Sequence, residues 1–238
     1  MDKAIFFDID DTLYDQLIPF QKAFEKNFNY DDIDVAELYK LSRELSDSVF
    51  ELSESGKLSM REMQIFRIKE ALKRLGHYIS DDVAMIFQED YSDFQKECSL
   101  PSLLSELFYW LIENDIKVGI ITNGPSEHQR QKIQQLRLEK WISDEHIFIS
   151  SELNTAKPDL RIFDIAREKM SPKLLPKNCY YVGDSYANDI VGAKKASWST
   201  IWYSRRCSTI PNSILKPDYI VKNDSELYQI IIKLFQSD

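Results

Sequence analysis

The sequence predicts an α/β protein: a Rossmann-like parallel sheet, interrupted after its first strand by a bundle of helices. Three observations carry this reading. From residue 98 onward, short apolar runs alternate with helix-period segments, the texture of a parallel sheet with helices on both faces. Between about residues 17 and 97 there is no convincing strand, and apolar side chains recur at helical spacing. Finally, the chain opens with an apolar run, residues 4–8, that belongs with the later strands. The core is therefore split into residues 1–15 and 98–238, with residues 16–97 as a helical insertion.

In chain order, the first strand is expected at residues 4–8, from Ala4 to Asp8. Four amphipathic helices follow. Their stripes are Leu17, Phe20, Phe24 and Phe28; then Leu38, Leu41, Leu45, Val49 and Leu52; then Met60, Ile65, Ile68, Leu72 and Leu75; then Val83, Ile86, Phe87, Tyr91 and Phe94. Asp34-x-x-Glu37 and Ser59-x-x-Glu62 are capping-box patterns, and Gly56 and Gly76 fall between helices. Four such helices in succession make a small bundle. The remaining strands are expected at 117–122, 146–150, 179–183 and 200–203, with a weaker one at 219–221. Helices are expected at 103–114, 126–138, 160–169, 187–196 and 226–235. Residues 204–218 read as a long surface loop.

The 238 residues suffice for a full core, and 43% hydrophobic with 29% charged residues is ordinary globular composition. No apolar run approaches the roughly 20 residues that span a bilayer, and the start lacks the features of a signal peptide. Cys98, Cys179 and Cys207 are widely spaced and form no C-x-x-C pair, so they read as reduced thiols of a cytoplasmic protein. The net charge of −9 disfavours a nucleic-acid polymer as partner. It does not disfavour a small anion, for which one lysine or a metal supplies the positive field. No membrane is expected to be involved, and the chain is expected to be a monomer or dimer.

Ligands of an open parallel sheet bind beyond the carboxyl ends of its strands. The residues there are Asp8-Ile9-Asp10-Asp11-Thr12 after the first strand, and Thr122-Asn123-Gly124 after the second. Gly183-Asp184-Ser185 follows the fourth, with Asn188-Asp189 behind it, and Ala156-Lys157-Pro158 precedes a helix. Clustered carboxylates repel one another and are driven to protonate unless a cation sits among them. An oxygen-only set suits a hard divalent ion, and beside phosphate that ion is Mg²⁺. Asp8, Asp10 and Asp184 are the expected shell. One such carboxylate can attack phosphorus once its charge is screened.

In these residues the chain resembles the haloacid dehalogenase (HAD) superfamily. D-x-D-x-T appears as Asp8, Asp10 and Thr12; the second motif as Thr122 in "IITNG"; the third as Lys157 in "AKPD"; and the fourth as "GDSYAND", with Asp184 and Asp189. The resemblance covers the whole chain, with the insertion in the place of a C1 cap. It implies a catalytic core at residues 1–15 and 98–238 and a helical cap at 16–97. It implies a Mg²⁺-dependent phosphatase acting on a small phosphorylated metabolite, with Asp8 as nucleophile. Asp10 would protonate the leaving oxygen and then deprotonate the attacking water. Asp8, the carbonyl of Asp10 and Asp184 would hold the metal, with Asp189 behind them. Thr122, the backbone after it at Asn123, and Lys157 would hold the phosphoryl oxygens. A narrower similarity, to house-cleaning nucleotidase-like phosphatases, points to nucleoside 5′-monophosphates, pyrimidines first, ahead of sugar phosphates.

Rivals stay open. A 2-haloacid dehalogenase needs Asp8 but has no use for an acid at Asp10. A phosphomutase shares the core. A receiver-like signalling protein places its acceptor after the third strand, where this chain has "HIFISSE", and a phosphate-binding pseudoenzyme is a further option. Asp11 reads as a turn residue and Asp15 as the hinge into the insertion. Ser126 with Gln129 reads as a capping box, Ser185 as a turn contact, and His77, His128 and His146 as surface or element-end residues. Pro158 reads as presenting Lys157 at the first turn of a helix. The aromatic rings of the insertion read mostly as bundle core.

Overall fold

The structure, a computed structural model, describes residues 2–54, 56–206 and 215–236. The chain divides into two compact units, Met1–Asp15 with Ser99–Asp238, and Gln16–Cys98.

The first unit holds a six-stranded, all-parallel sheet. Its strands are β1 (Ala4–Phe7), β2 (Lys117–Thr122), β3 (Ile147–Ile149), β4 (Cys179–Gly183), β5 (Ser199–Tyr203) and β6 (Tyr219–Val221). Their spatial order is β3-β2-β1-β4-β5-β6, the doubly wound arrangement, confirming the expected class. β1 is central and fully buried because both faces are covered. Ala4, Ile5, Phe6 and Phe7 have no exposed surface, which is why the strand is continuously apolar rather than alternating. On one face Phe6 meets Phe148 and Trp198, and Phe163 packs edge-on against Tyr181 and Trp198. The order reverses beside β1, so the carboxyl ends of β1, β2 and β4 form the crevice of such a sheet.

The expected bounds differ from the observed ones where local chemistry intervenes. The strand expected at 146–150 stops at Ile149, because Ser150 opens a short helix, Ser150–Leu153, and its hydroxyl accepts the Gly124 amide at 2.9 Å. The helix expected at 126–138 ends at Gln135; Arg137 turns left-handed (φ 55°) and a 3₁₀ turn follows at Leu138–Lys140. The helix expected at 187–196 becomes a π turn, Tyr186–Ile190, running into Val191–Lys195. Pro158 does not open the next helix. That helix is Leu160–Met170 with Asp159 as its cap, and Pro158 lies before the cap on a cis bond from Lys157. Of the loop read at 204–218, residues 207–214, Cys207 among them, lie outside the described residues. Cys179 is a buried free thiol, pushed up to about 12 by that burial, and Cys98 is partly buried. No helix among the described residues is long and apolar enough to cross a membrane.

The edge pair β5–β6 is fastened by Asp218. Its carboxylate accepts from the Thr200 amide (2.8 Å), the Thr200 hydroxyl (3.0 Å) and Lys194 (2.8 Å). Burial alone would raise this carboxyl, but Lys194 and the Thr200 amide hold it below the usual carboxylate range. A depressed folded value contributes stability above the ordinary pKa of about 4, lost as pH falls through the folded value. Asp218→Asn should therefore lower the urea midpoint at pH 7, and the gap to wild type should close in acid. A gap that stayed constant with pH would contradict this.

The second unit is helical: Leu17–Asn27, Val35–Ser48, Phe50–Glu54, Met60–Arg74 and Asp81–Gln95. The second expected helix is two, because Val49 leaves helical geometry (φ −116°, ψ 9°). Asp34 accepts from the Ala36 and Glu37 amides, and Ser59 with Glu62 forms a reciprocal capping box. Gly56 and Gly76 take the positive φ, 71° and 89°, that ends a helix without steric cost. Phe20 is the hub of the core, meeting Tyr39, Phe87 and Tyr91 edge to face. Each such ring contributes roughly 1.5–3 kcal/mol by burial. Leu52 and Ile86, expected inside, are exposed. Ile86 falls off the buried stripe Ala84, Phe87, Tyr91, and Leu52 follows the break at Val49.

Candidate active site

The chain turns sharply as β1 ends. The Asp8 amide still bonds the Val182 carbonyl of β4 at 2.9 Å, and the Leu13 amide already reaches back to Ile9 at 2.9 Å. Between them Asp11 takes φ 59°, the conformation a short polar residue tolerates. This turn aims Asp8 inward and Asp10 to the side.

Asp8 is 6% exposed and Lys157 4% exposed. Lys157 Nζ lies 2.6 Å from Asp8 Oδ1, 2.7 Å from Asp189 Oδ1 and 2.9 Å from the Tyr181 hydroxyl. Burial drives the Asp8 carboxyl up to about 7; Lys157 opposes this, while Asp189 and Asp10 add to it. Burial alone would lower the Lys157 ammonium, but Asp189 and Asp8 outweigh it and hold the lysine charged. The Tyr181 hydroxyl donates a hydrogen bond to the Ile121 carbonyl (2.9 Å) and is pushed well above its ordinary value, first by burial.

Lys157 is placed by Asn123. The Asn123 amide donates to the Lys157 carbonyl and its oxygen accepts the Lys157 amide, both at 2.9 Å. The side chain of Asn123 is thus engaged with the lysine loop. Thr122 ends β2. Its hydroxyl and that of Thr12 are buried and have no hydrogen-bond partner among the described residues. A buried hydroxyl left in that state costs about 1–3 kcal/mol, so a polar ligand there has a ready donor.

Asp184 follows β4, its carbonyl accepting the Trp202 indole at 2.7 Å. Asp189 reaches back over the π turn, whose cap is the Ser185 hydroxyl, and accepts the Ser185 amide at 2.9 Å. Oxygens of Asp8, Asp184 and Asp189 all lie within 4.8 Å of one another. Three carboxylates so close, one of them driven toward protonation, fit a hard divalent cation: an ion among them would restore the charged form. Asp10 is not in this cluster by its side chain. The back of the site depends on Gly183, where a Cβ would stand 2.3 Å from Asp189 Oδ2. Gly183→Ala should shift Asp189, lower the melting temperature by about 2–8 °C from overpacking of about 1–2 kcal/mol, and weaken divalent-ion binding in titration calorimetry. Unchanged ion affinity would show that Asp189 has no part in holding it.

Several partners were invisible in the sequence. The Asp10 carboxylate receives Lys132, Gln129 and the Tyr14 hydroxyl. Ser126 and Gln129 do not form the expected capping box. The cap position of helix Ser126–Gln135 is Pro125, without a side-chain bond, and buried Gln129 instead donates to Asn123 and Asp10. Arg206 ties Asp11 (2.9 Å) to Asp15, so Asp11 is a turn residue held by an ion pair. His128 is exposed, and His77 and His146 are partly buried. The spacing of Gln129 and Lys132, one turn apart on the helix after β2, was the available signal.

A family model for haloacid dehalogenase-like hydrolases matches residues 3–197. The chain is 27% identical over 232 residues to the pyrimidine 5′-nucleotidase YjjG of Escherichia coli, covering 96% of this chain and 97% of that one. It is 30% identical over 211 residues to a glyceraldehyde 3-phosphate phosphatase of Methanothermobacter thermautotrophicus, covering 84% of each. The fold is shared with the magnesium-bound HAD-hydrolase YfnB of Bacillus subtilis, at 24% identity and a TM-score of 0.69 over 97% of this chain and 98% of that one. A dehalogenase shares it too, at 19% identity and a TM-score of 0.75 over 96% of each chain.

Proposed function

We propose, from the premise that the chain belongs to the haloacid dehalogenase-like hydrolases and is a hydrolase, that its substrates are small phosphomonoesters. The observation that carries this is the buried Asp8–Lys157–Asp189 cluster at the carboxyl ends of the sheet strands, together with the Thr122 hydroxyl at the end of β2, which has no hydrogen-bond partner among the described residues. A nucleophilic carboxylate, a fixed cation and an unsatisfied donor at one sheet edge meet the demands of phosphoryl transfer, which asks mainly for positioning and charge neutralisation.

In the proposed reaction an Asp8 oxygen attacks phosphorus and the ester P–O bond breaks. The leaving alkoxide takes a proton from Asp10, and Asp8 is left as an acyl phosphate. Asp10 then accepts a proton from water as that water displaces phosphate from Asp8. Lys157 and Thr122 steady the phosphoryl oxygens, and Asn123 keeps Lys157 in place. The donor set fits Mg²⁺, which Asp8, Asp184 and the Asp10 carbonyl would hold with Asp189 behind them. When bound, it supplies positive charge against the phosphoryl oxygens. Ca²⁺, which accepts more ligands at longer distances, should bind without supporting turnover. Equal rates with the two ions would count against this site.

For the organic part we propose nucleoside 5′-monophosphates first, pyrimidines ahead, with selectivity supplied by the helical insertion acting as a cap. The nucleotidase relative supports this. Ring stacking supports it less, since Phe20, Phe87 and Tyr91 are at most 3% exposed within the bundle. The phosphatase relative favours a second reading, a triose or sugar phosphate. The test is phosphate release from p-nitrophenyl phosphate, uridine 5′-monophosphate, glyceraldehyde 3-phosphate, glucose 6-phosphate and phosphoglycolate, with Mg²⁺ and after chelation. Halide release from 2-chloropropionate serves as the control for dehalogenation. Nucleotides ranking at or below the sugar phosphates would select the second reading. Halide release without phosphate release would overturn both.

A further inference from the structure

Lys132 projects from the helix Ser126–Gln135, the first after β2, and its Nζ lies 2.7 and 2.6 Å from the two carboxylate oxygens of Asp10. The pair is largely enclosed, with side chains 20% and 18% exposed. The same carboxylate accepts the Tyr14 hydroxyl at 2.7 Å on Oδ1 and the Gln129 amide at 3.2 Å on Oδ2. Gln129 is itself anchored on the Asn123 carbonyl at 3.0 Å. Asp10 is thereby gripped by two residues one turn apart on a helix and by a third across its own turn. Among these donors only Lys132 reaches both oxygens.

We propose that Lys132 is a positioning residue for leaving-group departure: it fixes the place from which Asp10 meets the bridging oxygen of the ester. This rests on the reading of Asp10 as the acid of the proposed reaction. The chemistry of lysine suits the task. A guanidinium fork would occupy both oxygens in a rigid plane, whereas an ammonium is a compact charge that stays near both while the carboxylate pivots. A purely structural ion pair would act through the fold, and any effect it had on rate would not depend on the substrate.

That difference is the test. A p-nitrophenolate leaves readily without a proton, whereas an alkoxide does not. kcat/KM reports all steps through the first irreversible one, here the departure of the leaving group, so the later water attack does not enter. Lys132→Met keeps the aliphatic stem and removes the charge. It should lower kcat/KM for uridine 5′-monophosphate, or for the fastest alkyl ester of the panel above, by about a hundredfold, the lower end of what a positioned acid contributes. With p-nitrophenyl phosphate it should change little. Lys132→Arg should restore part of the alkyl-ester rate. The ratio of the two rates is read on one preparation, so partial loss of folded enzyme cancels; Lys132→Gln gives a second reading of it. An equal fall with both esters, or no fall with either, overturns the proposal while leaving the phosphatase reading intact. A wild-type enzyme that releases phosphate from neither ester sinks that reading, and this proposal with it.

Discussion

Asp8→Asn is expected to reduce turnover to background, a fall on the order of 10⁴–10⁶, while the protein stays folded and melts no lower than wild type. The two halves of this expectation have one cause. The Asp8 carboxyl is buried and pushed up to about 7, first by desolvation, so its charged form is held against its environment. A neutral amide of the same shape removes the nucleophile and that burden together. Lys157 keeps Asp189 as its partner at 2.7 Å, so no buried charge is left alone. Function and stability then separate, as they do where a site holds a destabilised group for chemistry. The measurement is phosphate release beside thermal melting on the same sample. Substantial turnover by Asp8→Asn would remove the aspartyl-phosphate route. A large drop in melting temperature would mean that Asp8 serves the fold.

What the sequence disclosed and withheld follows from how far each signal reaches along the chain. β2, β4 and β6 were legible to the residue because each is a short apolar run punctuated by turn residues, and that pattern is local. Asp8, Thr122 and Asp184 were legible as candidates because strand ends can be found one strand at a time, and Lys157 and Asp189 because each sits in a short local motif; the sheet then collects them. Lys132 was not. A lysine amid Glu, His, Gln and Arg on a polar helix looks like a solvated face, and its partner Asp10 lies 122 positions away. Gln129 was misread for the same reason: Ser126-x-x-Gln129 matches a local capping pattern, but the tertiary pull of Asp10 and the Asn123 carbonyl is stronger. The break at Val49 and the left-handed Arg137 were missed because each is one residue in a helical context, and neither is glycine. The rings of the insertion were correctly assigned to its core by spacing alone, since burial of Phe20 and Phe87 is what helical periodicity encodes.

Lys157→Met should be the most disruptive single change at the site, and its effect should depend on divalent ions. The ammonium is 3% exposed by side chain and touches Asp8 at 2.6 Å and Asp189 at 2.7 Å. Methionine fills the volume but leaves two buried carboxylates facing each other without their shared cation. Removing one partner of a buried ionic group costs about 3–5 kcal/mol, because the remaining charge is desolvated and unpaired. For a chain of this size that is a fall of roughly 6–20 °C in melting temperature. Activity should fall with it, by at least about 10²–10³, the loss typical of one fixed electrostatic group. The carboxylates left behind are the same ones whose oxygens lie within 4.8 Å of Asp184. A divalent cation can therefore screen them in place of the lysine. Mg²⁺ should raise the melting temperature of Lys157→Met more than that of wild type, while activity stays low because no ammonium faces the phosphoryl oxygens. Melting curves with Mg²⁺ and with chelator, on both proteins, decide this. An equal Mg²⁺ shift in both would separate lysine and metal into independent sites and break the link between the buried acidic cluster and the ion.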